Sequence, residues 1–247
     1  MIIDCISDLH GFKPKLEGGD LLLLAGDYTA RNSLKEWAEF FAWLKEQNYR
    51  KKILIAGNHD GLLESAFPHS HKEAEELSEI QELLTEIAEI EFPEFEYLCD
   101  SGTEFEGLKI WGSPWTKTFE GMNKHCMSFT KRTEDELADQ YEKIPHDVDI
   151  LITHSPAYGI LDQVKIKFYN AMPDREIHVG SKYLKNWLKY CGRPRIHLFG
   201  HIHESYGIKQ VFAIYDYERK KSMVQSINAS IMTEYYKPEN KPIRIEL

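Results

Sequence analysis

The segment ILIAGNHDGLL, residues 53–63, begins as an apolar run and changes character at Gly57. An apolar run bounded by glycine is typical of a strand buried on both faces of a parallel sheet. Asn58, His59 and Asp60 follow directly, so an amide, an imidazole and a carboxylate stand where the strand ends. In open α/β sheets, ligands bind just outside the carboxyl ends of strands, and this segment therefore indicates a functional edge of such a sheet.

Four other predicted strands end in polar residues in the same way. Each piece alone, such as a Gly-Asp pair or a His-x-His motif, is common by chance, and a single histidine after a strand is more often structural. The ordered conjunction at five strand ends indicates one shared metal site. The strand predicted at 2–7 is followed by Asp8 and His10, that at 21–25 by Asp27, and that at 53–56 by Asn58 and His59. The strand predicted at 148–153 is followed by His154, and that at 196–199 by His201 and His203.

The remaining pattern predicts a single α/β domain over residues 1–247, built on two sheets. Helices are expected from the N-cap Ser33 to about residue 48, over 72–90 and over 180–190. Short strands are expected over 95–112, and further strands near the end of the chain at 210–217 and 223–232. Between these parts, residues 113–147 are polar and irregular and then weakly helical, which predicts a cap-like insert.

Composition excludes several classes of protein. The chain of 247 residues has a net charge of −10, so it has no strong nucleic-acid-binding signature. It contains no apolar run of the ~20 residues that span a bilayer. The start MIIDCISDLHG has no basic region before an apolar core, which predicts a cytoplasmic protein without a signal peptide. The four cysteines show no C-x-x-C spacing, so we expect free, mostly buried thiols.

The side chains at the strand ends offer oxygen and nitrogen donors and no sulfur. Such a set suits Mn, Fe, Zn, Co or Mg. The donors are too numerous for one tetrahedral ion but suit two ions that share a carboxylate. Two ions about 3.5–4 Å apart can clamp a phosphoryl group and hold a hydroxide for in-line attack.

The ordered series D-x-H, G-D, G-N-H-D, H and G-H-x-H, from Asp8 to His203, resembles the calcineurin-like metallophosphoesterases. The segments SDLHG, LLLLAGD, AGNHD, DILITHSP and RPRIHLFGHIHESYG most resemble a subfamily of small metallophosphoesterase-domain-containing proteins, related to class III phosphodiesterases. The resemblance implies a four-layer αββα sandwich of two mixed β-sheets flanked by helices.

The resemblance also implies a role for each residue of the series. Asp8, His10, Asp27 and His203 would hold one metal ion, and Asp27 would bridge to a second ion completed by Asn58, His154 and His201. His59 would act as a general acid on the leaving oxygen, and Asp60 would hold the His59 ring. Asn58 and His59 would also bind the substrate.

The implied function is a metal-dependent phosphoesterase with two divalent ions, Mn favoured over Fe, Zn, Ni, Co or Mg. We expect a phosphodiesterase rather than a phosphomonoesterase, acting on small phosphodiester or nucleotide-like substrates. A metal-bridging hydroxide would attack phosphorus. The alternative is a non-catalytic sensor that binds nucleotides at the metal site. The sequence predicts no membrane partner and does not fix the oligomeric state or the natural substrate.

The insert carries aromatic and basic residues that allow two interpretations. Its aromatic rings could stack on a base while its basic residues hold a phosphate, as in a pocket wall for a nucleotide-like substrate. They could equally form a partly buried cap with solvated lysines. The residues concerned are Trp111, Trp115, Phe119, His125, Phe129, Lys131 and Arg132.

Overall fold

The computed structural model describes residues 1–66, 95–119, 122–166, 175–192, 194–215 and 220–247. The helix expected over residues 72–90 lies outside these ranges. Among the helices that the structure describes, none combines the length and the apolar character that a bilayer crossing requires.

The early strands and the last strand of the chain form one five-stranded sheet. Its members, in spatial order, are β15 (Ile243–Glu246), β1 (Ile2–Ile6), β2 (Gly19–Leu24), β3 (Tyr49–Leu54) and β4 (Phe95–Tyr97). Strands β1 to β4 run parallel, and β15 closes the sheet as an antiparallel partner of β1. Parallel neighbours bring the carboxyl ends of β1, β2 and β3 to the same edge.

The later strands form a second, six-stranded sheet. Its four central strands are parallel, and an antiparallel strand lies at each edge. The members, in spatial order, are β13 (Gly207–Tyr215), β14 (Lys220–Asn228), β12 (Ile196–Phe199), β9 (Ile150–Thr153), β6 (Leu108–Ser113) and β5 (Ser101–Phe105). Two small pairs lie outside the sheets, β7 (Thr116–Lys117) with β8 (Thr130–Lys131), and β10 (Gln163–Ile166) with β11 (Arg175–His178).

The two sheets pack face to face through alternate residues of their strands. Leu21 and Leu23 of β2 belong to the same buried cluster as Ile150 and Ile152 of β9. Successive side chains of a strand point to opposite faces, so Leu22 faces the other way and joins a second cluster. Burial on both faces explains why these strands read as continuous apolar runs.

Helices cover the outer faces of both sheets. Helix α1 (Leu34–Lys45) begins at the predicted N-cap, where Ser33 and Glu36 form a reciprocal capping box. Its Phe41 ring lies 5.7 Å from the ring of Phe95 in β4. On the other sheet, α3 (Glu134–Tyr141) and α4 (Lys182–Tyr190) bury their apolar residues, and a short α2 (Gly61–Ala66) follows β3. The predicted four-layer sandwich of two mixed sheets is confirmed.

Several details differ from the sequence prediction. The two strands expected at 210–217 and 223–232 each begin three residues earlier, as β13 and β14, and β10, β11 and β15 were not predicted. Strand β3 begins at Tyr49, four residues before the predicted start, because Tyr49 and Lys52 are buried in a stretch that reads as polar. All four cysteines are free, but Cys5 alone is fully buried and Cys191 is exposed, so the expectation of mostly buried thiols was wrong.

Candidate metal centre

The strand ends of both sheets meet at one edge, and four of the predicted ligands turn the backbone there. Asp8, His10, Asp27 and His201 have φ angles of 51°, 42°, 59° and 67°. This left-handed region is uncommon for residues with a side chain, and it persists where surrounding structure enforces it. Backbone hydrogen bonds enforce this conformation here; His10, for example, donates its N–H to the carbonyl of Asp27 at 3.0 Å.

Two glycines let the strand ends approach the carboxylates. A Cβ atom on Gly57 would lie 2.2 Å from Oδ1 of Asp27, and a Cβ atom on Gly200 would lie 2.1 Å from Oδ2 of Asp8. Neither position has room for a side chain. Gly57 and Gly200 therefore form part of the cradle that holds the carboxylates.

Asp8, His10 and His203 form one group of side chains that could hold a metal ion. Nε2 of His203 lies 3.3 Å from Oδ1 of Asp8 and 3.3 Å from Nε2 of His10. The other ring nitrogen of His203 lies 3.2 Å from the carbonyl of Thr233, which accepts its proton. That hydrogen bond directs Nε2 of His203 into the group, the arrangement usual for a metal-binding histidine.

Asp27 lies at the centre of the site. Its Oδ2 atom is 3.4 Å from Nε2 of His154 and 3.8 Å from Nε2 of His10. The same oxygen is 3.9 Å from Nε2 of His59. One carboxylate oxygen therefore faces a predicted ligand of each metal ion and the predicted general acid.

The second predicted set of ligands gathers around His154. Its Nδ1 donates to the carbonyl of Ala25 at 2.7 Å, and its Nε2 lies 3.1 Å from Oδ1 of Asn58. Asn58 donates its amide to the carbonyl of Cys126 at 2.9 Å. This bond fixes the amide orientation, so that the Asn58 oxygen faces the site.

His201 completes the predicted set. Its ring lies 5.0 Å from the ring of His154, and its Nε2 lies 3.2 Å from Oγ1 of Thr116. Its backbone N–H donates to both carboxylate oxygens of Asp8, at 3.1 and 3.0 Å. The structure thus brings all seven predicted ligands and His59 to one place.

Burial and charge keep Asp8 ionised and keep His10 and His201 neutral. Burial raises the pKa of Asp8, but the hydrogen bond and the charge of His203 lower it by more than burial raises it, so the pKa is about 2. Burial lowers the pKa of His10 to about 4 and that of His201 to about 3. A carboxylate that stays ionised and imidazoles that stay neutral are the forms that bind metals.

Two histidines hold their protons more tightly beside the carboxylates, because their pKa values are raised. Burial lowers the pKa of His154, but the charge of Asp27 raises it more, to about 9. Burial likewise lowers the pKa of His203, and the hydrogen bond to Asp8 shifts it above its usual value. The carboxylates thus attract positive charge to the places where the predicted metal ions would lie. A divalent ion would displace these protons.

Asp60 does not hold the His59 ring, which corrects the predicted role. Its Oδ2 atom accepts the N–H groups of Asp27 and Gly57, both at 2.8 Å, and its Oδ1 atom accepts that of Tyr28 at 3.1 Å. Among the described residues, no hydrogen bond joins Asp60 to the imidazole of His59. Gly57 to Asp60 form a turn, closed by the bond from the Asp60 N–H to the Gly57 carbonyl at 3.1 Å, and the Asp60 carboxylate points inward from this turn and fixes the backbone that carries the site.

The Asp60 carboxylate is fully buried beside another negative charge. Burial and the charge of Asp27 raise the pKa of Asp60 to about 8, although three backbone N–H groups oppose the shift. His59 lies on the open side, with its side chain 16% exposed, and donates its backbone N–H to Oδ1 of Asp27 at 2.9 Å. Its ring is 4.6 Å from that of His10.

A cleft of about 1140 Å³ opens over the site. Asp27, Asn58, His59, His201 and His203 line its floor. Part of its wall comes from the stretch from Thr116 to Phe119, from Met122 and Asn123, and from Cys126.

Trp115 and Phe129 do not belong to the wall of the cleft. Both are buried, and Trp115 donates Nε1–H to Asp100 at 2.8 Å, while Lys131 covers its ring at 3.9 Å. For these two aromatic residues the interpretation as a buried cap is correct. Phe119, which is 61% exposed, does line the cleft.

Sequence reasoning missed several contributors to the site. The ring of Tyr236 lies 5.0 Å from those of His10 and His203 at the mouth of the cleft. The carbonyls of Cys126 and Thr233 orient ligands. No motif marks these positions, because carbonyl groups are present at every residue and Tyr236 follows a segment without periodicity.

The donor set fits divalent metal ions. Two carboxylates, one amide oxygen and four imidazoles converge, and no thiolate is among them. Hard and borderline ions such as Mn, Fe, Zn, Co, Ni and Mg prefer such ligands. Ligand atoms of Asp8, His10 and His203 lie within 4.8 Å of one another, and so do those of Asp8, Asp27 and His154, which suits a shared cation in each group.

Comparisons with known proteins show which proteins this chain is similar to. Metallophosphoesterase domain-containing protein 1 of Homo sapiens is 33% identical over 258 residues, covering 98% of this chain and 70% of that protein. The protein of the same name from Mus musculus matches equally well.

Solved structures share the fold at low identity. One covers 99% of this chain and 98% of its own, with a TM-score of 0.62 and 13% identity. The crystal structure of TT1561 of Thermus thermophilus has a TM-score of 0.53 and 16% identity, covering 91% of this chain and 88% of its own.

A family model described as Calcineurin-like phosphoesterase matches residues 1–205. With the two relatives and the candidate metal ligands, this match shows that the chain belongs to the calcineurin-like phosphoesterases, a family of metal-dependent hydrolases of phosphoesters.

Proposed function

We propose that this protein is a phosphodiesterase that uses two divalent metal ions to hydrolyse small phosphodiester or nucleotide-type substrates. The position of Asp27 carries the proposal. Its Oδ2 atom lies within 3.8 Å of Nε2 of both His154 and His10, which belong to different predicted ligand sets. A carboxylate placed in this way can bridge two ions.

Each proposed ion has a defined set of ligands in this chain. Asp8, His10 and His203 would hold one ion, and Asn58, His154 and His201 the other, with Asp27 shared. When bound, such ions lower the pKa of water and neutralise charge on a phosphoryl group. Manganese is our first choice, because oxygen and imidazole donors suit it, with Fe, Zn, Ni, Co and Mg as alternatives.

His59 is the proposed general acid. Its ring lines the cleft beside the shared carboxylate, where it could protonate the oxygen that leaves phosphorus. General acid catalysis of this kind is worth about 10²–10⁴-fold in rate. Asp60 supports it indirectly, by fixing the backbone of Asp27 and Gly57 on either side.

The charges of the cleft favour a diester over a monoester. Three glutamates, Glu134, Glu204 and Glu234, line the cleft and disfavour a more negative ligand. Two lysines, Lys117 and Lys182, oppose them, and no arginine lines the cleft among the described residues. Arg31, on the loop after β2, is exposed to solvent. An arginine would match the additional charge of a phosphomonoester with paired hydrogen bonds.

The predicted cytoplasmic location is part of this proposal, because cysteines without disulfide spacing suit a reducing compartment.

Hydrolysis by metal-stripped protein tests the proposal. Mn²⁺, Ni²⁺, Zn²⁺ or Mg²⁺ would be added separately, with bis-p-nitrophenyl phosphate and p-nitrophenyl phosphate as substrates. We expect metal-dependent turnover that is faster on the diester. Faster turnover of the monoester would contradict the preference for diesters. No turnover with any ion, in protein that binds two ions, would favour the nucleotide-binding sensor.

A further inference from the structure

A second oriented histidine lies in the cleft, away from the predicted ligands. His178, at the end of β11, donates Nδ1–H to Oδ1 of Asp162 at 2.6 Å. Asp162 is fully buried, and its Oδ2 atom accepts the backbone N–H groups of Gly159 and Gly180, both at 2.9 Å. Three hydrogen-bond donors thus hold the Asp162 carboxylate in position. The carboxylate in turn fixes the orientation of the His178 ring through Nδ1.

His178 also reaches the cleft. Its side chain is 36% exposed and lines the cavity, and among the described residues Nε2 has no hydrogen-bond partner. The bond from His178 satisfies the buried carboxylate of Asp162 and at the same time fixes the direction of the imidazole ring. A fixed imidazole presents Nε2 in one direction, as a ligand-binding group requires.

The surroundings of His178 are apolar and aromatic. We call this side of the cleft the hairpin wall; it consists of Tyr158, Val164, Ile177, His178 and Val179. Val164 and Ile177 are opposite each other in the β10–β11 pair. The ring of Tyr158 lies 5.3 Å from that of His178. A mostly apolar wall with one oriented polar group is the usual lining of a site for a small organic molecule.

The cleft is also larger than a phosphate requires. Its volume of about 1140 Å³ exceeds the range of ~300–1000 Å³ that is typical of sites for small organic ligands. The predicted metal ligands occupy the floor, so the hairpin wall is left for another part of the substrate.

We propose that the hairpin wall is a nucleobase subsite in which Nε2 of His178, positioned by Asp162, hydrogen-bonds the base of a nucleotide-type substrate. This inference rests on the proposed function and names its substrate class. A second phosphate fits the wall less well, because three of its five residues are aliphatic. Lys182, at its edge, would then lie beside a phosphate or the sugar.

Two diesters with the same leaving group test the subsite. Thymidine 5′-(p-nitrophenyl phosphate) carries a base, and methyl p-nitrophenyl phosphate does not, but both release p-nitrophenolate. His178→Phe keeps a ring and removes the hydrogen bond. It should raise KM for the thymidine ester about tenfold, the factor that one hydrogen bond of ~1.4 kcal/mol supplies. Turnover of the methyl ester should stay within about twofold of the wild type, since that substrate does not reach the wall.

Matched variants separate positioning from folding. His178→Gln keeps a hydrogen-bonding group and should recover part of the lost affinity. Asp162→Asn should show the same selective rise in KM, because it weakens the bond that orients His178. His146→Phe, at an exposed histidine that does not line the cleft, is the control and should change neither substrate. Equal effects of His178→Phe on both esters, or no effect, would overturn the subsite.

A binding experiment keeps the subsite testable if the proposed function fails. Should the wild type hydrolyse neither ester, AMP binding to the Mn²⁺-loaded protein would be measured by calorimetry. The subsite predicts about tenfold weaker binding in His178→Phe than in the wild type or His146→Phe. Equal affinity in all three proteins, or no binding in any, would contradict it.

Discussion

Replacing Gly57 with alanine tests whether the cradle sets the position of the shared carboxylate. The added Cβ would lie 2.2 Å from Oδ1 of Asp27 and 2.7 Å from Cε1 of His154. To reach even 3.0 Å, the carboxylate must move by about 0.8 Å, and the same oxygen would then lose its bond to the His59 N–H. A misplacement of about 1 Å in a catalytic group can cost about 10²-fold in rate. Overpacking of this kind costs about 1–3 kcal/mol in stability.

The assay for Gly57→Ala has three readouts: bound metal per chain, kcat on bis-p-nitrophenyl phosphate with Mn²⁺, and unfolding in urea. We expect about 100-fold slower turnover, weaker metal binding and a folded protein. Gly102→Ala is the control, because its Cβ would come no closer than 3.1 Å to a neighbour and lies on edge strand β5. Wild-type turnover and metal content in Gly57→Ala would refute the reasoning.

Three further predictions address single groups. His59→Ala should keep its metal ions but lose about 10²–10⁴-fold in turnover of esters with poor leaving groups, and undiminished turnover would remove His59 from the mechanism. Asp60→Asn should lower the free energy of unfolding by about 1–3 kcal/mol, because an amide cannot accept all three backbone N–H groups; an unchanged urea midpoint would contradict this. In metal-free protein, the pKa of His154 is raised to about 9. Protonated His154 therefore stabilises the folded state fully at a pH below ~6.5, the pKa of histidine in the unfolded chain, and this stabilisation is lost as the pH rises to 9. His154→Gln should flatten that fall in stability, and Mn²⁺ should bind the wild type more tightly over the same range as the protons leave. A wild-type profile as flat as that of His154→Gln would be the contrary result.

The sequence predicted the elements whose signals are local. Continuous apolar runs marked β2 and β9 because both faces of these strands are buried. Ser33 marked the start of α1 through its capping chemistry. The predicted ligands converge because they follow parallel strands, whose carboxyl ends meet at one edge by geometry.

Other features depend on contacts that no local pattern carries. Asp60 follows His59 directly in sequence, yet its carboxylate turns inward to three backbone N–H groups. Asp162 and His178 are 16 residues apart and meet only through the fold. The early start of β3 was missed because it contains Lys52, which is buried here although lysine is normally exposed.

The proposed two-metal centre depends on Asp27 as the carboxylate shared by both ions. A crystal of the protein soaked in Mn²⁺, measured by anomalous diffraction, tests this bridging role. We expect two peaks about 3.5–4 Å apart, one on the side of His10 and one on the side of His154, both bound to the Asp27 carboxylate. A single peak, or two peaks that leave Asp27 without a metal bond, would contradict it.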